Sequence, residues 1–129
     1  MKKDFQGWHR KKEKIHDDKI RPFFHEREIW FSSVGTNIGF EQDGKGERFL
    51  RPAIIIKKFN NEVLWVLPIT RSKKTGRYYF SFHFTNGEKS LVILSQIRLI
   101  DAKRLEYKIG DMVESDFVEV KKKLKQFLD

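Results

Sequence analysis

From Glu28 to Ser95 the apolar residues fall in short runs or strict alternation, separated by turn-forming residues, which is the pattern of small antiparallel β-strands. EIWFSS, RPAIIIKKF, EVLWVLPIT, RYYFSFHF and SLVILS are the predicted strands. Asn60-Asn61 and Asn86-Gly87 stand between neighbouring strands as two-residue hairpin connections. RYYFSFHF alternates, so Phe80, Phe82 and Phe84 share one face and Tyr79, Ser81 and His83 the other. AIII and VLWVL are apolar at every position, which predicts cover on both faces, from a helix or a second subunit, and makes a homodimer the expectation.

The period changes near the C-terminus. In ESDFVEVKKKLKQFLD, Phe117, Val120, Leu124 and Phe127 fall on one helix face, with Ser115 as the candidate cap and lysines gathering where the helix dipole favours cations. A thinner stripe of Phe5, Trp8 and Ile15 runs from Asp4 to about Asp17, weakened by Gly7 and followed by the connector DDKIRPFFHER. The expected architecture is mainly β with helices (α+β). It is a small barrel or sandwich over residues 28–129 with a C-terminal amphipathic helix, preceded by a partly helical appendage over residues 1–27.

Composition narrows the chemistry. A chain of 129 residues suits one domain. With no cysteine there is no disulfide, thiol nucleophile or thiolate zinc site, and the four histidines show no ligand spacing, so neither metal nor cofactor is expected. No apolar stretch is long enough for a secretory signal or a bilayer span, and a cytoplasmic protein without membrane partners is expected. A formal charge of +9 directs attention to anionic partners.

Gly39 to Gly46, GFEQDGKG, nearly spells a phosphate-binding loop. Gly46 stands where a magnesium-binding Ser or Thr is required, a strand rather than a helix follows, and Glu41 and Asp43 would repel a triphosphate. A nucleotide site is excluded on these grounds.

Five segments in order carry a more specific signal: EIWFSSVGTNIGFEQ, RPAIII, VLPIT, SQIRLID, and KIG before the last helix. Over roughly Glu28 to Leu128 they resemble the PemK/MazF toxins of bacterial toxin–antitoxin pairs. The resemblance implies an SH3-like barrel, usually a homodimer, that cuts single-stranded RNA without a metal and is neutralised by an antitoxin with an acidic tail.

Such cleavage needs a base for the ribose 2′-OH, a cation or donors for the phosphoryl oxygens, and an acid for the leaving 5′-oxygen. Arg51 and Thr70 match the family's catalytic Arg and Thr, and Glu41 matches the acidic residue of some members. Arg51 suits the phosphoryl oxygens because a guanidinium stays charged and grips two oxygens at once, and Pro52 after it favours an extended backbone. Gln42, Lys45, Arg71, Lys73, Lys74, Gln96 and Arg98 are the candidate RNA contacts, with loops 36–48 and 71–77 gripping flanking nucleotides. Tyr78 and Tyr79 are candidates for base stacking or for the core. Phe40 and Ser95 stand where some members carry a histidine and an acid, so a mechanism built on that pair is not available here. Without the resemblance, Arg51 reads as an ordinary strand-end arginine and Arg98 as a partner of Asp101. The alternative function is a non-catalytic module that binds nucleic acid or protein on the same fold.

Overall fold

The computed structural model describes residues 20–33, 50–84 and 87–128. The helix expected over Asp4 to Asp17 lies outside them. Seven strands form in chain order: β1 (Glu28–Ser33), β2 (Leu50–Lys58), β3 (Val63–Thr70), β4 (Tyr79–His83), β5 (Lys89–Ile93), β6 (Arg98–Asp101) and β7 (Leu105–Asp111), followed by the helix α1 (Glu114–Gln126). All five predicted strands are present, and the sequence reading missed β6 and β7.

The strands form one antiparallel sheet in the order β4-β5-β3-β2-β1-β7, with β6 joined to β3. The expected closed barrel is not formed, since β4 and β7 remain at opposite ends of the path. A local cause is visible between β6 and β7. Asp101 accepts a hydrogen bond from the Lys103 amide at 2.8 Å and starts a 3-10 turn over Ala102–Arg104, so the chain does not fold back as a hairpin.

β3 is the shared strand. One edge pairs with β2; the other pairs with β6 from Val63 to Val66 and with β5 at Ile69 and Thr70. Pro68, which has no amide to donate, falls in the changeover between those two partners.

Alternation along β2 and β3 supplies two cores. Ile54, Ile56, Leu67 and Ile69 face Phe82, Val92, Met112, and Phe117 and Val120 of α1. Ala53, Ile55, Leu64 and Val66 face Trp30, Ile100, Ala102, Leu105 and Phe24. Both faces of the apolar strands are thus covered from within the chain. Trp65 nevertheless stays exposed beside Leu99, its cross-strand partner, with Phe59 edge-on at 4.8 Å.

Several local expectations are corrected. The β2–β3 connection spans Phe59 to Glu62 rather than two residues, because the Asn60 side chain accepts from the Glu62 and Val63 amides at 2.7 and 2.9 Å and builds a wider turn. Val113, not Ser115, caps α1, without a side-chain bond; Ser115 lies inside the first turn, where Glu114 and Asp116 answer the helix dipole. Phe117 and Val120 are buried as the stripe predicts, with Leu124 and Phe127 packed against the same core. The Asn86-Gly87 signal holds to the extent that β4 and β5 pair and Gly87 has φ +89°. Among the described residues no helix is long and apolar enough to cross a membrane.

Residues ahead of β1 are tied down. Phe24 is fully buried, Lys58 Nζ donates to its carbonyl at 2.9 Å, and Arg21 holds Asp101 through two bonds of 3.1 Å. Arg27 has φ +78°, rare for a side chain with a Cβ, and is fixed there by its amide bonding Ile55 O and its carbonyl accepting from Met112.

Candidate functional site

β2 and β3 run antiparallel with Ala53 opposite Pro68 and Ile54 opposite Leu67. Carrying that register two residues toward the start of β2 sets Arg51 opposite Thr70. Directly opposed side chains on one face have Cβ atoms about 4.5–5.5 Å apart. On the other edge of β2, Ser32 lies opposite Arg51 and its hydroxyl donates to the Arg51 carbonyl at 3.3 Å. Two residues far apart in sequence therefore share one spot because a strand pair is in register.

Both line a cavity of about 470 Å³ at the end of the sheet where β2 begins and β3 finishes. Phe31 of β1 and Ile109 of β7 supply apolar walls, Pro52 and Ile69 lie between, and Phe84, Glu88 and Ser90 come from the β4–β5 hairpin. Arg51, Thr70, Arg71, Glu88 and Ser90 make the cavity's polar lining, and the remainder is apolar.

Arg51 is only 3% exposed. A guanidinium keeps its charge there, and its pull on an anion is screened less than at an open surface. Thr70 is also buried, and its Oγ1 accepts from the Ser72 amide at 3.2 Å. That bond occupies a lone pair, so the hydroxyl proton is left to be donated elsewhere.

Arg71 reaches Glu88 across the cavity wall at 2.8 Å, both ends well exposed. Lys73 and Lys74 are exposed on the connection after β3. Gln96 sits in the turn after β5 and Arg98 starts β6; neither lines the cavity. Glu41, Gln42 and Lys45 lie outside the described residues. Glu88 and Ser90 are the cavity-lining polar residues that sequence reasoning missed. The Asn86-Gly87 turn marks where they return, but only the pairing of Thr70 with Leu91 brings them to Arg51.

Two neighbouring readings change. Tyr78 packs on Phe127, the residue that caps the C-terminal end of α1, at 5.3 Å, with the Arg77 guanidinium over both rings, so it serves helix docking. The Asp101 carboxylate is taken by Arg21 and the Lys103 amide. Burial alone would raise the Asp101 pKa, but these bonds outweigh it and hold the carboxyl below its ordinary value. Arg104, which donates to Ser33 O at 3.1 Å, has its pKa lowered by burial and then by neighbouring Arg98.

Fold and cavity define a small antiparallel β-domain with a cation and a hydroxyl gathered at one end of its sheet. Residues 26–128 match the family model of PemK-like, MazF-like toxins of type II toxin–antitoxin systems, and the chain belongs to that family. Its fold is similar to MazF from Deinococcus radiodurans at TM-score 0.65 and 17% identity, over 85% of this chain and 98% of that one. It is also similar to an endoribonuclease solved with its cognate antitoxin, from a mycobacterial species, at TM-score 0.62 and 10% identity, over 82% and 95%. A MazE–MazF structure from Deinococcus radiodurans is a further relative, at TM-score 0.59 and 16% identity, over 85% and 97%. No curated protein matches the sequence significantly.

Proposed function

We propose that this chain is an endoribonuclease toxin that cuts single-stranded RNA without a metal and is neutralised by a cognate acidic antitoxin. The observation that supports the reading is that Arg51, near the start of β2, and Thr70, at the end of the adjoining β3, line one cavity, in a chain of the PemK/MazF family. In the proposed reaction the ribose 2′-oxygen attacks the adjacent phosphorus while a base takes its proton, and the bond to the 5′-oxygen breaks as that oxygen is protonated. Arg51 and the Thr70 hydroxyl stabilise the charge on the phosphoryl oxygens, and Glu41 takes part in proton transfer. Arg71, Lys73 and Lys74 engage the flanking backbone together with Gln42, Lys45, Gln96 and Arg98.

The antitoxin partner is supported by the family and by relatives solved as such complexes. A homodimer in the cytoplasm completes the proposal, with exposed Trp65 and Leu99 offering apolar surface for pairing. The test is cleavage of a single-stranded RNA in EDTA by folded protein. Cut ends that disappear in Arg51→Ala are expected; intact RNA, or equal cutting by the variant, overturns the assignment. Phe40 and Ser95, standing where some members carry a histidine and an acid, favour one second reading, a binding module without turnover. It would show salt-sensitive RNA binding and no cut ends.

A further inference from the structure

The Ser90 hydroxyl has no account in the fold. Ser90 is 2% exposed, sits opposite Phe82 in the β4–β5 ladder, and its Oγ has no hydrogen-bond partner among the described residues. Its surroundings are apolar: Phe82 is buried and packs on Phe84 at 5.1 Å, and Ile69 belongs to the same core. A hydroxyl in such a place is destabilising unless something bonds to it, and alanine would fill the position at less cost. Ser90 nonetheless lines the cavity that holds Arg51 and Thr70. It stands one residue before Leu91, the residue paired with Thr70, so its backbone follows the end of the β3–β5 ladder while its side chain turns to the Phe82 face and meets the cavity from there.

We infer that the Ser90 hydroxyl is a third phosphate ligand, donating to a backbone phosphoryl oxygen of single-stranded nucleic acid seated between Arg51 and Thr70. This rests on the ribonuclease reading for its ligand. It goes beyond that reading in assigning a group from a third strand, β5, that composition and motif leave unmarked. Two hydroxyls and a guanidinium from β2, β3 and β5 then converge on one tetrahedral group from different directions. A hydroxyl suits the role because it can rotate to follow the oxygen as geometry changes at phosphorus.

The experiment uses the full chain with Ser90→Ala and Ser90→Thr. Binding of a fluorescent single-stranded 2′-deoxy oligonucleotide, which has no attacking hydroxyl and stays uncut, is measured beside thermal melting. Losing one hydrogen bond to a charged oxygen is expected to weaken binding by Ser90→Ala about tenfold, with Tm unchanged or raised, while Ser90→Thr retains binding better than Ser90→Ala. Equal binding by Ser90→Ala overturns the assignment. So does a fall in Tm of several degrees, which would mean that the hydroxyl serves the fold. Absence of binding by the wild type overturns it too. Cleavage of the matching ribo-oligonucleotide is scored separately: wild-type binding without cutting sinks the ribonuclease reading and leaves the Ser90 contact standing.

Discussion

If Arg51 and Thr70 act on one phosphoryl group, their removal must be coupled, and a double-mutant cycle measures that coupling. The perturbations are Arg51→Ala, Thr70→Ala and both together, in the intact chain. Losing a preorganised charge-stabilising donor costs about 10²–10³ in rate, which is the expectation for the guanidinium, and a neutral hydroxyl should cost roughly ten- to a hundredfold. Acting independently, the two would multiply to roughly 10³–10⁵. Carried two residues past Ala53 and Pro68, the register makes the two side chains cross-strand neighbours, and both line one cavity, so on this reading each loss already misplaces the group the other holds. The double variant should therefore fall short of the product by about tenfold or more, near 1.4 kcal/mol, well beyond the ~0.3–0.5 kcal/mol scatter of independent sites. Single-turnover cleavage of a short RNA with one cut site gives the rates, and circular dichroism confirms folding, because Arg51 and Thr70 are both buried. Strict multiplicativity would refute the shared site even if each single variant were slow.

Glu28 at the start of β1 accepts from the His25 amide at 2.8 Å, Trp30 Nε1 at 3.0 Å and Lys108 Nζ at 3.1 Å. Burial pushes its pKa up, but these bonds win and hold it below the ordinary 4.5. A depressed carboxylate stabilises fully above that value and less as pH falls through the folded pKa. Glu28→Gln should then cost about 1–3 kcal/mol in urea titrations at pH 7 and progressively less below pH 4.5; a gap that stays constant with pH would contradict this. Arg27→Gly relieves a left-handed residue whose strain is about 1–2 kcal/mol but loosens the unfolded chain by roughly 0.5–1, so a gain of up to about 1 kcal/mol is expected, and clear destabilisation would argue against strain. Glu88→Gln frees Arg71 from its 2.8 Å partner, and should tighten RNA binding at low salt and steepen the log–log salt slope by about 1; an unchanged slope would mean that Arg71 does not meet phosphate.

Strands carried by dense local pattern were legible. The apolar runs of β2 and β3 announced strands, and Phe80, Phe82 and Phe84 do share one face, which the structure turns toward the core. β6 and β7 were missed because their cues are non-local. Leu99 of β6 is exposed, and LEYKIGD is a mostly polar edge strand that exists through pairing with β1. Cover for the second face of β2 came from Phe24 and the β6–β7 turn, both remote in sequence, where a helix or second subunit was the natural expectation. At the site, Arg51 and Thr70 were readable through the family motifs. Glu88 and Ser90 were not, since a hairpin signal says where a chain returns and not which neighbour it joins.

The partner change along β3 also bears on how the cavity can open. The β4–β5 hairpin, which brings Phe84, Glu88 and Ser90, is stitched to β3 by only two residue pairs beyond Pro68, whereas β2 and β1, which bring Arg51 and Phe31, share five. Side chains such as Phe82 and Val92, more than backbone bonds, keep the hairpin seated. One side of the cavity is thus held by a long ladder and the other by a short one, with Pro68 standing where β3 changes partner from β6 to β5. If single-stranded nucleic acid is the ligand, parting the two-pair seam widens the cavity at less cost in backbone bonds than parting the five-pair ladder that carries Arg51.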